Sequence, residues 1–374
     1  MKTLAGTASR RIHKILNWYN KRMSNSFLES LNDIIQTTKH IGRGQAISVV
    51  FIADDGFVMP TSVTITSMIL NKREETVYNI SILTDGISKD SESKLKSLEG
   101  PGVRIDLVKM DRGELLGMGR SSIPDSIHVP ITSMFKFLIP DLFKDHNKIL
   151  YLDGDVLVRR DLTELYNTDI SDTYAAVVSD MKPVVGYLIP YMRKLGIDNE
   201  SYFNSGMMLL NLERMRNDNL SEILFEYRKS GLNLFMDQDA LNYVLGVNVR
   251  YVDVKFNFTY SSYNYFLFKH FKEYHNIDES DDQKVLDSIV VLHLNGKDKP
   301  WLCNDISFSD EWDYYYDGSP FKDMVLNRRS ESNPALETIK VTFSYVFRRL
   351  THRTTQWFVD FYLKLWDKFN FILR

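Results

Sequence analysis

Seven short apolar runs recur along the 374-residue chain, and this recurrence restricts the fold more than any other feature of the sequence. Each run has the length and composition of a buried strand. The segments between the runs show helical periodicity, so predicted strands and helices alternate. This order predicts an α/β fold with a mostly parallel sheet. The runs are Ala46–Ala53, Val77–Leu83, Val103–Val108, Lys148–Leu152, Tyr174–Val178, Met207–Asn211 and Ile289–Leu292.

The two ends of the chain differ from its middle in charge. Residues 1–28 carry a formal charge of +6 and residues 339–374 carry +5, which leaves −14 for the middle of a chain with net charge −3. An amphipathic helix is predicted over Arg11–Met23. The basic and aromatic stretch Trp357–Arg374 is typical of a helix at a membrane interface. The alternative is a helix that packs on the body of the protein or on another subunit.

Other features of the composition argue against several classes of protein. The single cysteine, Cys303, cannot form an internal disulfide, which favours a reducing compartment. No uninterrupted apolar stretch of about 18 residues and no signal-peptide pattern occurs, so neither a transmembrane helix nor a secretory leader is predicted. The acidic body would repel phosphate backbones and carries no recognised nucleic-acid motif, so we expect no nucleic-acid partner.

Two aspartates follow the run Lys148–Leu152. In Asp153-Gly154-Asp155 both carboxylates point to the same side of an extended chain, with a small residue between them. Such oxygen ligands suit Mn²⁺ or Mg²⁺, ions that neutralise a diphosphate and stabilise it as a leaving group. Carboxylates are also common at strand ends and in turns, so the pair by itself does not establish a metal site.

His293 follows the last apolar run and is a candidate third ligand, because a neutral imidazole binds Mn²⁺ well. Nearby, Gly296 would let the backbone approach a phosphate closely, and Lys299 could pair with a diphosphate. The alternative is a histidine at a strand end followed by an ordinary turn. In combination with Asp-x-Asp, His293 favours the metal site.

Three further polar motifs are candidates for ligand contacts. Asp54–Phe57 follows the first run, where α/β folds bind nucleotides, although a helix cap and turn would give the same pattern. The amide of Asn204, within Tyr202–Gly206, can hold sugar hydroxyls or belong to a plain β-turn. Asp237-Gln238-Asp239 can line the mouth of a pocket, or Asp237 can cap the helix that follows.

With these motifs in one order, the sequence resembles the family 8 glycosyltransferases, particularly the bacterial lipopolysaccharide galactosyl- and glucosyltransferases. The resemblance implies a GT-A fold, a Rossmann-like domain with a mixed, mostly parallel sheet that binds both a nucleotide sugar and an acceptor. Together with the helical patterns at the two ends, it predicts a helical N-terminal extension (1–43), a catalytic domain (44–303) and a C-terminal extension with an amphipathic helix (304–374). The matching segments are Ile52–Phe57, Lys148–Val158, Tyr202–Gly206, Asp237–Asn242, Lys255–Phe258 and His293–Trp301.

The resemblance assigns roles to individual residues. It implies that Asp153, Asp155 and His293 bind Mn²⁺, or alternatively Mg²⁺, between the phosphates of a UDP-hexose. Gln238 and Asp237 are the implied catalytic residues, with Gln238 on the face of the sugar where a nucleophile would be sought. The other implied donor-binding residues are Ala53, Asp54, Asp55, Gly56, Phe57, Lys136, Gly154, Asn204, Asn295, Gly296 and Lys299.

The family retains the anomeric configuration of the sugar. Glutamine is a poor nucleophile, so attack on the same face is favoured over a double displacement. Asp180 follows the run Tyr174–Val178, where relatives place a contact to the glycan or glycolipid acceptor. In two places the chain departs from the family pattern: Gly56 replaces a frequent Asn, and Lys136 replaces a common Arg, which substitutes a point charge for a bidentate group.

These features predict an enzyme of lipopolysaccharide or other cell-surface glycan synthesis that transfers glucose or galactose. We expect it in the cytoplasm, attached peripherally to the inner, anionic face of the cell membrane through its basic ends. One alternative is a nucleotide-sugar pyrophosphorylase-like nucleotidyltransferase, which would require a basic Gly-rich loop in place of Asp54–Gly56. Others are a non-catalytic glycan-binding protein and a self-glycosylating enzyme. No sequence feature selects an oligomeric state.

Overall fold

The computed structural model describes residues 46–110, 131–181, 188–197, 201–230, 234–235, 237–265, 268–304 and 306–329. The chain divides into two compact units, Met1–Ala46 and Ile47–Arg374, and every described residue except Ala46 belongs to the second. The helices predicted over Arg11–Met23 and Trp357–Arg374 lie outside the described residues. The division at residues 43 and 303 stays a prediction.

Ten strands of the described residues form two sheets. The strands are β1 (Ala46–Ile52), β2 (Val77–Thr84), β3 (Val103–Lys109), β4 (Lys148–Leu152), β5 (Val156–Val158), β6 (Ala175–Ser179), β7 (Phe203–Asn211), β8 (Val249–Tyr251), β9 (Phe258–Thr259) and β10 (Val291–His293). The main sheet has the spatial order β3-β2-β1-β4-β7-β6-β8, and the smaller sheet has the order β5-β10-β9.

Strand β7 runs antiparallel to both of its neighbours, β4 and β6, whereas β1 with β4, β2 with β3 and β6 with β8 pair in parallel. The predicted mixed, mostly parallel sheet is therefore confirmed. The strand begins at Phe203, four residues before the predicted run, and Asn204 pairs with Val178 of β6. Asn204, Ser205 and Gly206 thus lie inside the sheet, and the alternative of a β-turn at these residues is wrong.

Helices cover the sheets and connect their strands. The α-helices of the described residues are α1 (Val58–Asn71), α2 (Lys89–Lys96), α3 (Phe135–Leu142), α4 (Thr163–Tyr166), α5 (Ile189–Lys194), α6 (Leu212–Asn217), α7 (Leu220–Ser230), α8 (Asp237–Leu245), α9 (Tyr260–Tyr265), α10 (Phe268–Tyr274), α11 (Asp282–Ser288) and α12 (Ser309–Asp317). None of the described helices is both long and apolar enough to cross a membrane.

The main sheet is buried on both faces. Successive residues of β1 alternate between two apolar clusters: Val49 packs in the cluster that contains Val63 of α1, and Val50 packs in the cluster that contains Phe137 of α3. All four of these side chains are fully buried, because helices cover both faces of the sheet. This burial explains why the strands appear in the sequence as continuous apolar runs.

Strand direction gathers the polar motifs at one edge of the sheet. The carboxyl ends of the parallel strands β1 and β4 lead to Asp54 and Asp153, and the antiparallel β7 begins at the same edge with Asn204. Leu152 at the end of β4 pairs with Met207, just after these first residues of β7. Ligands of open α/β sheets bind at such an edge.

His275, directly after α10, provides a prediction about stability. It packs on the rings of Phe271 and Tyr274, at centroid distances of 4.5 and 4.9 Å. Burial disfavours the imidazolium and lowers the pKa of His275 to about 4, although the charge of Asp180 opposes this shift. As pH falls below the ordinary histidine value of about 6.5, the unfolded chain therefore takes up a proton before the folded protein does, and stability is lost until about pH 4.

We expect His275→Gln to lack this loss of stability. Between about pH 7 and about pH 4.5 the free energy of unfolding of the parent should fall by about 2 kcal/mol more than that of the variant. Urea unfolding at a series of pH values measures this difference. If the difference in the free energy of unfolding between the two proteins stayed constant with pH, the attribution of this stability loss to His275 would be wrong.

Candidate functional site

The two aspartates lie on the short connection between β4 and β5. The backbone N–H of Asp153 donates to the carbonyl oxygen of Gly206 at 2.8 Å, so the residue extends the pairing of β4 with β7. Strand β10 is antiparallel to β5, and His293 pairs with Val156, the residue after Asp155. The site therefore forms where the large and the small sheet meet, and Asp155 and His293 lie 138 positions apart in the sequence.

Asp153, Asp155 and His293 converge as a metal-ligand set, with one ligand atom from each lying within 4.8 Å of the others. His293 Nε2 is 3.2 Å from Asp155 Oδ1 and 3.8 Å from Asp153 Oδ2. Asp155 Oδ1 is buried and has no hydrogen-bond partner among the described residues. An unpaired buried carboxylate oxygen is costly, and a cation would satisfy it. Two carboxylates and an imidazole fit a divalent ion such as Mn²⁺ or Mg²⁺.

Two glycines make this convergence possible. A Cβ atom at Gly206 would lie 2.1 Å from His293 Cε1 and 2.8 Å from Asp153 Oδ2. A Cβ atom at Gly154 would lie 2.1 Å from Thr61 Oγ1 on α1. Neither residue is among the glycines with positive φ. The site therefore needs glycine at both positions for space and not for an unusual backbone conformation.

Lys136 of α3 is a buried cation between two carboxylates. Its Nζ lies 2.7 Å from Asp237 Oδ2 and 3.2 Å from Asp153 Oδ1, and 4.7 Å from the centroid of the Tyr151 ring. Burial opposes its charge, but Asp153 and Asp237 outweigh burial and raise the pKa of Lys136 above its ordinary value. Tyr151 also donates from its hydroxyl to Asp153 Oδ1 at 2.6 Å. Lys136 is thus held charged and in place.

Lys299 forms the second ion pair of the site. Its Nζ contacts Asp155 Oδ2 and donates to the carbonyl oxygen of Leu294 at 2.8 Å. Burial would raise the pKa of Asp155, but the charges of Lys299 and His293 outweigh it and hold that pKa well below its usual value. Asp155 is therefore a carboxylate at neutral pH, which is the form that binds a metal.

A cavity of about 260 Å³ opens beside the two aspartates. Seven of the predicted donor-binding residues line it: Ala53, Asp54, Phe57, Lys136, Asp153, Gly154 and Asp155, together with the predicted catalytic residue Asp237. Sequence reasoning missed Tyr151, Thr132 and Ser133 in this lining. Tyr151 lies two residues before Asp153 and thus on the same side of β4, a usable signal, whereas no pattern marks the other two.

Asp54 stabilises a turn and also lines the cavity, while its contact with a nucleotide stays a prediction. Its Oδ1 accepts a hydrogen bond from the N–H of Phe57 at 2.9 Å, which stabilises the turn into α1, while the residue also lines the cavity. Asp55 Oδ1 instead accepts from the N–H of Ser88 at 2.9 Å, just before α2. Asp55 and Gly56 are not among the residues that line this cavity. Their donor contacts stay predictions.

The amide of Gln238 lies at the centre of a buried hydrogen-bonded cluster. Its Oε1 accepts from the N–H of Ser205 at 3.1 Å and from Asn204 Nδ2 at 3.3 Å. Its Nε2 donates to Asp180 Oδ2 at 3.2 Å, and Asn204 Nδ2 lies 3.3 Å from the same oxygen. The structure therefore joins the predicted catalytic residue Gln238 to the predicted acceptor residue Asp180.

Helix α8 begins at Asp237, three residues earlier than its predicted helical pattern. Oδ2 of Asp237 accepts from Ser205 Oγ at 3.1 Å and pairs with Lys136. The carboxylate is thus directed into the site, so its contacts favour the pocket interpretation over a simple helix cap.

The loop after β10 contains the remaining predicted donor contacts. Asn295 Oδ1 accepts from the N–H of Ser261 at 2.9 Å, and Gly296 has φ +96°, a conformation that favours glycine. Lys299 closes this loop on Asp155. None of these three loop residues, nor Asn204, lines the cavity described above. Their role in donor binding also stays a prediction.

A family model described as Glycosyl transferase family 8 matches residues 48–305. A model described as Transposase also matches residues 1–53, a stretch too short to assign a family.

Several known proteins are similar to this chain over most of its length. General stress protein A of Bacillus subtilis is 24% identical over 282 residues, covering 73% of this chain and 94% of that protein. The lipopolysaccharide 1,2-glucosyltransferase of Escherichia coli is 24% identical, covering 84% of this chain and 91% of the relative. The lipopolysaccharide 1,3-galactosyltransferase of Salmonella typhimurium is 26% identical, covering 75% and 81%.

Solved structures share the same fold. The galactosyltransferase LgtC, crystallised with donor and acceptor sugar analogues, is 25% identical with a TM-score of 0.59, covering 75% of this chain and 98% of LgtC. The bifunctional glycosyltransferase WbbM is 20% identical with a TM-score of 0.63, and the match covers 80% of this chain but only 52% of WbbM. The fold is thus of the GT-A type predicted from the sequence, and since the family model spans well over half of the 374 residues, the protein belongs to glycosyl transferase family 8.

Proposed function

We propose that this glycosyltransferase moves glucose or galactose from a UDP-sugar to a glycan acceptor, with Mn²⁺ as cofactor and with retention of the anomeric configuration. The observation that carries the proposal is the convergence of Asp153, Asp155 and His293 beside the 260 Å³ cavity. The relatives named as lipopolysaccharide glucosyl- and galactosyltransferases support the hexose and the class of acceptor. The same site accommodates Mg²⁺ as the alternative ion.

Asp153, Asp155 and His293 would hold the metal. When bound, the ion supplies positive charge that neutralises the diphosphate and stabilises UDP as the leaving group. Lys299, next to Asp155, is placed to add a second positive charge on the same side of the site. Lys136 keeps Asp153 and Asp237 oriented toward the cavity.

Gln238 positions other groups and does not attack the sugar in this proposal. Its Oε1 already accepts the backbone N–H of Ser205 and the amide of Asn204, so its oxygen is engaged. A neutral amide in such contacts is a poor nucleophile. These contacts support same-face attack, in which the leaving phosphate oxygen accepts the proton of the incoming hydroxyl.

We also propose that the acceptor belongs to lipopolysaccharide or another cell-surface glycan, and that the enzyme works in the cytoplasm on the inner face of the cell membrane. The charge of +5 in residues 339–374 supports attraction to anionic lipid, because each basic residue near such a surface contributes about 1 kcal/mol.

Release of UDP tests the proposed reaction. The full chain is incubated with UDP-glucose or UDP-galactose and an extracted-glycan acceptor, in Mn²⁺, in Mg²⁺ or in a chelator. We expect turnover with one donor to exceed turnover with the other by at least tenfold and to vanish in the chelator. Equal UDP release without any metal, or no release with either donor by folded protein, would refute the proposal.

A further inference from the structure

Two amide side chains connect His293 to the backbone of β7. The N–H of Gly206 donates to Asn204 Oδ1 at 3.0 Å, and Asn257 Nδ2 donates to the same oxygen at 2.9 Å. Asn257 Oδ1 lies 3.0 Å from His293 Nδ1. Asn204, Asn257 and His293 are 4%, 1% and 2% exposed, so water cannot replace these contacts. Asn257 lies directly before β9 and received no role from the sequence.

The direction of each hydrogen bond in this series follows from its first member. A backbone N–H can only donate, so the Asn204 atom that faces Gly206 is the oxygen. Asn257 must then offer its NH₂ group to that oxygen, which leaves its own Oδ1 facing His293. An oxygen in this position requires a proton on His293 Nδ1. The neutral ring consequently has its lone pair on Nε2, the atom 3.2 Å from Asp155 Oδ1.

A second backbone N–H, that of Ser205, fixes the orientation of the Asn204 amide independently. The N–H of Ser205 donates to Gln238 Oε1, so the NH₂ group of Gln238 faces Asp180 Oδ2. Asn204 Nδ2 lies 3.3 Å from both of these oxygens, which is where a donor is needed. Flipping Asn204 would bring its oxygen against two other oxygens. The backbone N–H groups of Gly206 and Ser205 therefore each determine which amide atom of Asn204 donates and which accepts.

We propose that Asn257 is a positioning residue, which holds the proton of His293 on Nδ1, directs Nε2 toward the metal and fixes Asn204 at the same time. Histidine ligands of metals commonly donate their second N–H to such a partner, and loss of that partner weakens metal binding about 10- to 100-fold. The inference rests on the proposed function only in taking His293 as a metal ligand.

Metal affinity provides the first test. Free Mn²⁺ is measured by electron paramagnetic resonance during titration of the full chain. Asn257→Ala should bind Mn²⁺ about 10- to 100-fold more weakly than the parent. Asn257→Asp keeps an oxygen toward His293 but places its other oxygen against Asn204 Oδ1. Its Mn²⁺ affinity should therefore lie between those of the parent and Asn257→Ala, since the contact that orients the ring is preserved and the contact that fixes Asn204 is lost.

The matched control is Asn71→Ala. Asn71 is a half-buried amide, which donates to the carbonyl of Val158 at 2.9 Å and to the Tyr315 hydroxyl at 2.8 Å, away from the proposed metal ligands. Its loss should lower stability and leave the Mn²⁺ affinity unchanged. Equal Mn²⁺ affinity of Asn257→Ala and the parent would overturn the proposal, as would equal weakening by Asn71→Ala.

The tautomer of His293 provides a second test that needs neither metal nor activity. Ring-nitrogen NMR shifts of metal-free, ¹⁵N-histidine-labelled protein are recorded at increasing pH until they no longer change, so that the neutral ring is observed. His293→Gln identifies the resonance. We expect the proton on Nδ1 in the parent and in Asn257→Asp, and a mixture of tautomers in Asn257→Ala. If the parent does not bind Mn²⁺, the proposed cofactor is wrong, yet a proton on Nδ1 still supports the role of Asn257, and one on Nε2 refutes it.

Discussion

Replacement of Asp155 by asparagine should lower kcat/KM for UDP release roughly 10³-fold while the protein remains folded. Asparagine has the shape of aspartate but no charge, so the site loses an anionic metal ligand. The charge stabilisation that a metal supplies to a leaving group amounts to several kcal/mol, and each 1.36 kcal/mol changes a rate tenfold. Lys299 loses its ionic partner but keeps the carbonyl of Leu294. The fold should tolerate this change.

Asp313→Asn is the control for Asp155→Asn. Asp313, on α12, pairs with Arg328 and lies outside the ligand set. This variant should retain the rate and the Mn²⁺ affinity of the parent, because only a partly exposed ion pair is lost. If Asp155→Asn kept full metal-dependent turnover with unchanged Mn²⁺ affinity, Asp155 would not be a ligand of the catalytic metal.

Gly206→Ala should greatly weaken Mn²⁺ binding although the substitution adds only one methyl group. The new Cβ would lie 2.1 Å from His293 Cε1 and 2.8 Å from Asp153 Oδ2, so both ligands would have to move. The backbone cannot retreat easily, because the N–H of Gly206 donates to Asn204 and its carbonyl accepts from Asp153. We expect Mn²⁺ affinity to fall at least 100-fold, with turnover falling accordingly, and the protein to lose about 1–3 kcal/mol of stability from overpacking.

Titration with Mn²⁺ and urea unfolding together measure these two effects. Gly100→Ala is the control, since a Cβ at Gly100 would have no atom within 4 Å and φ is not positive there. That variant should bind Mn²⁺ like the parent. Unchanged Mn²⁺ affinity in Gly206→Ala would show that His293 and Asp153 can move away from the new Cβ and still bind the metal.

The sequence predicted the sheet because its strands are buried on both faces and therefore appear as continuous apolar runs. It also predicted that three candidate metal ligands would converge, since Asp153 and Asp155 follow one such run and His293 follows another, and the structure brings them together. The beginning of β7 was harder to predict: Asn204, Ser205 and Gly206 are polar or small, yet they lie inside the sheet. Apolar periodicity cannot identify a strand segment whose residues are polar or small because they contact a functional site.

The contacts of the site could not be read from the sequence for a different reason. Lys136 is separated by 101 positions from Asp237, and Asn257 by 53 from Asn204, so no local pattern links the members of either pair. Tyr151 was within reach of sequence reasoning, because alternate residues of a strand share a side. Asn257 lies within the matching segment Lys255–Phe258, but its proposed role follows only from the direction of its hydrogen bonds.

The two lysines of the site have a consequence for the order in which ligands accumulate. The aspartates Asp54, Asp153, Asp155 and Asp237 with Lys136 and Lys299 leave two net negative charges when His293 is neutral. Under the proposed function, a bound divalent ion would cancel that charge and remove its repulsion of the diphosphate, so the metal would increase the affinity for the nucleotide sugar. By thermodynamic reciprocity, the nucleotide sugar must then increase the affinity for the metal by the same factor. Cofactor and donor would thus form a coupled pair, and each would be retained most strongly when the other is present.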